Sequence, residues 1–171
     1  LQNDFCPKGS LAVKDGDKII PTINALIKKY KSLGNPIYAT RDWHPSNHMS
    51  FKSSGGPWPV HCVQNTPGAA FHPELMIDDA IVINKGTLVD EEAYSGFNGT
   101  NLAQKLKERG VTDLTICGLA TDYCVKATVL DGINSGFTVT VIKDGIRGVN
   151  VKPEDSKKAL EAMMSAGAVI K

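Results

Sequence analysis

Residues Leu114-Thr115-Ile116-Cys117-Gly118-Leu119-Ala120-Thr121-Asp122-Tyr123-Cys124 constrain this chain more than any other stretch. A short apolar run meets a glycine turn and then a helix-starting Thr, so the backbone passes from strand to helix within a few residues. Thr121 is expected to cap the new helix, with Cys124 in its first turn. A thiol there meets unpaired backbone N–H groups and the positive end of the helix dipole, both of which favour the reactive thiolate. Such an elbow places a candidate nucleophile above the carboxyl ends of a parallel sheet, where folds of that kind build their sites.

The rest of the chain repeats the strand–helix alternation. Residues 18–33 carry Ile19, Ile20, Ile23, Leu26, Ile27, Tyr30 and Leu33 on one face, with Pro21 in the first turn and Gly34 as the stop, which predicts a helix. Strands are predicted at 36–40, 80–84, 114–117, 137–142 and 168–170, and helices at 100–109, 121–135 and 153–166. Alternation of this kind defines an α/β protein with a mainly parallel sheet and helices on its faces. No internal repeat, linker or second domain interrupts residues 1–171. A helix as early as 18–33 should follow a strand. Its absence leads us to expect that the sequence opens at the end of a strand whose apolar body lies upstream.

Composition narrows the function. The chain has 171 residues, 42% of them hydrophobic and 22% charged, as in ordinary soluble globular domains. A formal net charge of +1 gives no electrostatic case for binding nucleic acid or a membrane surface. Cys6, Cys62, Cys117 and Cys124 form no CxxC pair, which suits a reducing cytoplasm. Cys6, Cys62 and Cys117 read as structural, with Cys117 buried inside its strand. No GxGxxG, GxxxxGK[ST] or GxSxG pattern occurs, which argues against dinucleotide or nucleoside-triphosphate binding and against a serine hydrolase elbow.

Candidate chemistry clusters in the long segment from Arg41 to Thr66. Asp42 and His44 stand two apart in Arg41-Asp42-Trp43-His44, and His61 follows in Trp58-Pro59-Val60-His61-Cys62. One carboxylate and two imidazoles with coordination positions left open suit a catalytic divalent metal, with zinc, iron or manganese all acceptable. His48 is either a fourth ligand or a partner of a ligand. His72 reads as a surface residue at a helix start. Lys85 closes the strand 80–84 at the same sheet edge as Cys124, where an ammonium can stabilise a thiolate or an oxyanion.

At these residues the sequence closely resembles the nicotinamidases of the isochorismatase-like cysteine hydrolase superfamily. The likeness runs through Gln2-Asn3-Asp4-Phe5-Cys6, Gly9-Ser10-Leu11, Arg41 to His44, Trp58 to Cys62, Asn65-Thr66-Pro67-Gly68, Lys85-Gly86, Ala93-Tyr94-Ser95-Gly96-Phe97 and Gly118 to Cys124. It implies a single-domain three-layer α/β/α fold, Rossmann-like in outline, across residues 1–171. It implies Cys124 as nucleophile and Lys85 as its lysine partner, with an aspartate base immediately before the residue matched by Leu1. It implies Asp42, His44 and His61 as ligands of a metal that holds a pyridine nitrogen. Phe5 and Trp58 match aromatic walls around the ring, and the Leu119–Ala120 peptide matches a cis bond that turns the Ala120 N–H toward substrate. The implied partner is nicotinamide, with no nucleic acid or membrane, and an exposed sheet edge would permit self-association into a homo-oligomer. Two competing readings remain. One is a related amidase of ureido or carbamoyl substrates, which needs no ring-binding metal. The other is a non-catalytic metal-binding module.

Overall fold

The computed structural model describes residues 1–92 and 94–171; Ala93, within the quoted Ala93–Phe97 motif, lies outside the described residues. Helix α1 spans Ile20–Ser32, introduced by a 3-10 turn at Asp17–Ile19 and carrying Pro21 in its first turn, where the missing N–H costs nothing. Strand β1 is Tyr38–Asp42 and β2 is Ile81–Lys85. Helix α2 covers Leu102–Glu108, β3 Asp113–Leu119, α3 Lys126–Asn134, β4 Thr138–Arg147, α4 Asp155–Ser165 and β5 Val169–Ile170. Gly110 and Gly136, at φ 66° and 92°, end α2 and α3 in the left-handed conformation that glycine adopts without a Cβ penalty.

Among the described strands every pairing is parallel. β1 pairs with β2 in a register that sets Asp42 opposite Lys85. β3 pairs with β4, and β4 with β5. These form a two-stranded and a three-stranded sheet. Between them lies an apolar cavity of about 430 Å³, flanked by residues 35–40 on the β1 side and 113–119 on the β3 side. Cys117 faces this cavity and is half-buried rather than fully enclosed, which corrects the sequence expectation; burial still pushes its thiol up to about 11.

The alternation of β3 shows why helices cover both faces. Leu114 and Ile116 pack with Val129 of α3, Leu102 and Leu106 of α2 and Met163 of α4. Cys117 and Leu119 point the other way, toward Ile20, Ile23 and Ile27 of α1. Each such fully buried aliphatic side chain contributes about 2 kcal/mol. The result is a three-layer α/β/α arrangement whose strand ends converge on one edge. Among the described residues, no helix is long and apolar enough to cross a membrane.

Three local expectations need correction. β3 continues through Gly118 to Leu119, so the turn falls later than the glycine suggested. Thr121 does not cap the helix. Ala120 occupies that position without a side-chain bond, and Thr121 is the buried first residue of a π-turn, Thr121–Val125. The Ala120 carbonyl accepts the Tyr123 and Val125 N–H groups at 3.1 and 3.0 Å, which satisfies donors that a Thr cap would have served. His72, expected at a helix start, lies in a turn and accepts the Glu74 N–H on its Nδ1.

Candidate active site

Three strand ends deliver the reactive groups. β1 ends on Asp42, β2 on Lys85, and β3 leads through the π-turn to Cys124. The parallel register places Asp42 and Lys85 side by side, and the Lys85 ammonium bonds Asp42 Oδ1. The same ammonium lies 3.5 Å from Cys124 Sγ. The lysine therefore joins the thiol to the carboxylate, a tie invisible in the linear sequence. Asp42 and Lys85 are 6% and 4% exposed, so this is an ion pair taken out of water. Burial alone would push the Lys85 ammonium down, but the Asp42 charge and the Cys124 sulfur outweigh it and hold it above the usual lysine range. Burial alone would push the Asp42 carboxyl up, but Lys85 and His44 hold it well below the usual carboxylate range.

The second Asp42 oxygen faces two imidazoles. His44 Nε2 lies 3.6 Å and His61 Nε2 3.9 Å from Oδ2. The opposite ring nitrogens are committed: His44 Nδ1 donates to the Gly86 carbonyl at 2.9 Å and His61 Nδ1 to the Pro59 carbonyl at 2.8 Å. A carbonyl only accepts, so each Nδ1 carries its proton, and in a neutral ring Nε2 then presents a lone pair. Burial also lowers the His61 pKa, which favours that neutral ring. Two ring nitrogens and a carboxylate oxygen converge, all within 4.8 Å of one another. Such a set fits a divalent cation, and the carbonyl bonds are the outer contacts that fix imidazole ligands.

His48 is not a fourth ligand. It stacks on His44 with ring centroids 4.0 Å apart, but its Nε2 donates to the Glu91 carbonyl at 2.9 Å. Its Nδ1 accepts from the Ser50 hydroxyl at 2.8 Å and the Ser50 N–H at 3.2 Å. Both nitrogens are used, so it acts as a partner of His44.

Asp42, His44, His48, His61 and Cys124 line one cavity of about 460 Å³, within the range of small-molecule sites. Phe5 leans on His61, ring centroids 5.7 Å apart, and Trp58 forms another wall. Leu119 and Ala120 line the side nearest the thiol, and their peptide is cis, as the resemblance implied. Burial pushes the Cys124 thiol up, opposed by the Lys85 charge and an Ala120 N–H bond. That corrects the expectation of a thiolate favoured outright: desolvation disfavours the anion more than these partners stabilise it. Sequence reasoning also missed Tyr94 and Tyr123. Tyr94 Oη accepts the Trp58 indole N–H at 2.9 Å, and Tyr123 packs edge-on to Trp58 at 5.0 Å. Only the matched motif around Tyr94 pointed to it.

A parallel α/β sheet whose strand ends gather a thiol, a lysine and a three-donor cation site defines an isochorismatase-like hydrolase. The chain belongs to that family: the Isochorismatase domain model matches residues 1–171. It is 44% identical to the nicotinamidase of Escherichia coli K12, over 99% of this chain and 90% of that protein. It is 38% identical to the nicotinamidase/pyrazinamidase of Mycobacterium tuberculosis, over 97% of this chain and 91% of that protein. Among solved structures, the pyrazinamidase of Pyrococcus horikoshii in complex with zinc superposes with a TM-score of 0.94 at 55% identity, covering 99% of this chain and 93% of that one.

Proposed function

We infer that this chain is a metal-dependent cysteine amidohydrolase that deaminates nicotinamide to nicotinate and ammonia. The observation that carries this reading is the single cavity that holds Cys124 with Lys85 beside it, the Asp42, His44 and His61 donor set, and aromatic walls. A related amidase of carbamoyl or ureido substrates has no use for that donor set. In our scheme the metal is zinc, held by Asp42, His44 and His61, and when bound it supplies a Lewis-acid point that fixes the pyridine nitrogen. Phe5 and Trp58 flank the ring, and the carboxamide lies toward Cys124. The small substrate and the reduced cysteines support a cytoplasmic enzyme.

The thiol gives its proton to the aspartate base that the resemblance implies. The Lys85 ammonium stabilises the thiolate, which attacks the amide carbon. The Ala120 and Cys124 N–H groups receive the developing oxyanion, one such donor contributing ~3 kcal/mol. The base returns the proton to the departing nitrogen, ammonia leaves, and a thioester remains on Cys124. Water then gives a proton to the same base and hydrolyses the thioester to nicotinate. The test is ammonia release from nicotinamide by Cys124→Ala. A loss of at least about 10³-fold is expected; undiminished release would reject the nucleophile.

A further inference from the structure

Gln2 sits 2% exposed at the foot of the site, and its amide has an uncommon set of partners. Its Nε2 donates to the Asp42 carbonyl at 2.7 Å, and its Oε1 accepts the Asp42 N–H at 2.7 Å. The second amide hydrogen goes to the Ala69 carbonyl at 2.9 Å. One side chain thus takes both backbone polar groups of Asp42, as a neighbouring strand would, and leaves that residue little freedom in φ or ψ.

Two residues on, Asp4 Oδ2 accepts the Cys62 N–H at 2.7 Å, which belongs to the peptide directly after His61. Cys62 holds φ at 47°, a left-handed conformation that a non-glycine residue keeps only when its surroundings enforce it. Its carbonyl in turn accepts the His44 N–H at 3.0 Å. Gly68 leaves room for the Asp4 carboxylate, since a Cβ there would collide with it. Asn3, between the two arms, ties the segment to Pro67 and Ala70.

We propose that Gln2 and Asp4 are positioning residues that form a two-armed brace, Gln2 setting Asp42 and Asp4 setting His61 and His44, so that three donors on separate segments meet at metal-ligand spacing. Neither side chain touches the metal position or the reacting atoms. The inference rests on the reading that Asp42, His44 and His61 hold a metal. Its physical basis is that a ligand's place follows its backbone, and small displacements of a donor set change both affinity and coordination geometry.

The test reads zinc affinity by competition with a chromophoric chelator and the visible spectrum of the cobalt(II) form, both without substrate. Gln2→Met, which removes all three bonds at similar size, is expected to weaken zinc binding about ten- to hundredfold and to alter the cobalt bands. The metal-free protein should melt several degrees lower, because three buried backbone groups lose their partners, but it should still unfold in one cooperative transition. Gln2→Glu keeps the bond from the Asp42 N–H but turns two donations into repulsions, and it carries the same comparison should Gln2→Met not fold. Asp4→Ala should weaken zinc similarly, while Asp4→Asn, which retains an acceptor for the Cys62 N–H, should restore most of the affinity. Zinc affinity within about twofold of the unaltered protein, with an unchanged cobalt spectrum, overturns the brace alone. Failure of the unaltered protein to bind zinc overturns both the brace and the metal reading.

Discussion

Cys124 is placed by its own neighbourhood in the sequence, whereas Asp42, His44 and His61 are placed by residues far along the chain. On the thiol side, β3, the Leu119–Ala120 peptide and the π-turn follow one another without interruption, and the Ala120 carbonyl organises the turn. On the metal side, Gln2 reaches across 40 positions to Asp42 and Asp4 across 58 to Cys62. Lys85 is the point where the two sides touch. Reactivity of the thiol should therefore be a local property and affinity for the metal a distributed one, and each can be disturbed without the other except at Lys85.

Lys85→Met should cause the largest loss, because it strikes both sides. It strands the buried Asp42 carboxylate and removes the cation beside the thiol. Ammonia release from nicotinamide should fall about 10²–10⁴-fold. The rate of Cys124 alkylation by iodoacetamide should also report the change. In the unaltered protein burial raises the thiol pKa, so alkylation should climb with pH above the range of an ordinary cysteine. Lys85 opposes that rise, so in Lys85→Met the profile should move to still higher pH. An unmoved or lowered profile would break the link between the two sides.

His61→Ala should separate them. Zinc affinity should fall more than about a hundredfold, since the proposed site loses a ligand rather than a partner of one. The alkylation profile of Cys124 should hold, because Lys85, Asp42 and the Ala120 N–H are the groups that act on the thiol. Loss of thiol reactivity in this variant would show that the sides are not independent.

The converse variant is Asp122→Ala. Asp122 accepts the Val149 and Asn150 N–H groups at 2.9 and 2.7 Å and anchors the π-turn to the segment after β4. Leaving those donors unpaired should cost about 2 kcal/mol. Calorimetry should show a melting temperature lower by about 4–8 °C, with zinc affinity kept.

How much of this was legible follows the same division. The thiol elbow could be read because strand, glycine, turn and cysteine are contiguous, and the donor set was visible in the two-residue spacing of Asp42 and His44. The turn was misjudged by two residues because Gly118 proved to be the penultimate residue of β3, which moved the helix start and displaced Thr121 from the capping position. The Lys85–Asp42 bond was illegible because it depends on the register of two parallel strands, which no local pattern encodes. His48 was ambiguous because its ring nitrogens are consumed by Ser50 and by the Glu91 carbonyl, one of them 43 positions away. Gln2 and Asp4 act on backbone groups, so their residue types gave no chemical signal beyond membership of a matched motif.

The smallest expected effect is at the wall of the cavity. Tyr94→Phe removes the acceptor of the Trp58 indole N–H while keeping the ring. One neutral hydrogen bond is worth about 1 kcal/mol, so KM for nicotinamide should rise about fivefold with kcat nearly unchanged. A fall in kcat alone would place Tyr94 nearer the chemistry than the geometry does.

The central claim is that the Cys124 sulfur itself attacks an amide held by its aromatic ring. Acid quenching during turnover of nicotinamide, followed by proteolysis and mass spectrometry, tests it directly. A nicotinoyl thioester is expected on the peptide that contains Cys124, and none in Cys124→Ala. Turnover with no acyl group on that peptide, or with the group on a different residue, would contradict it.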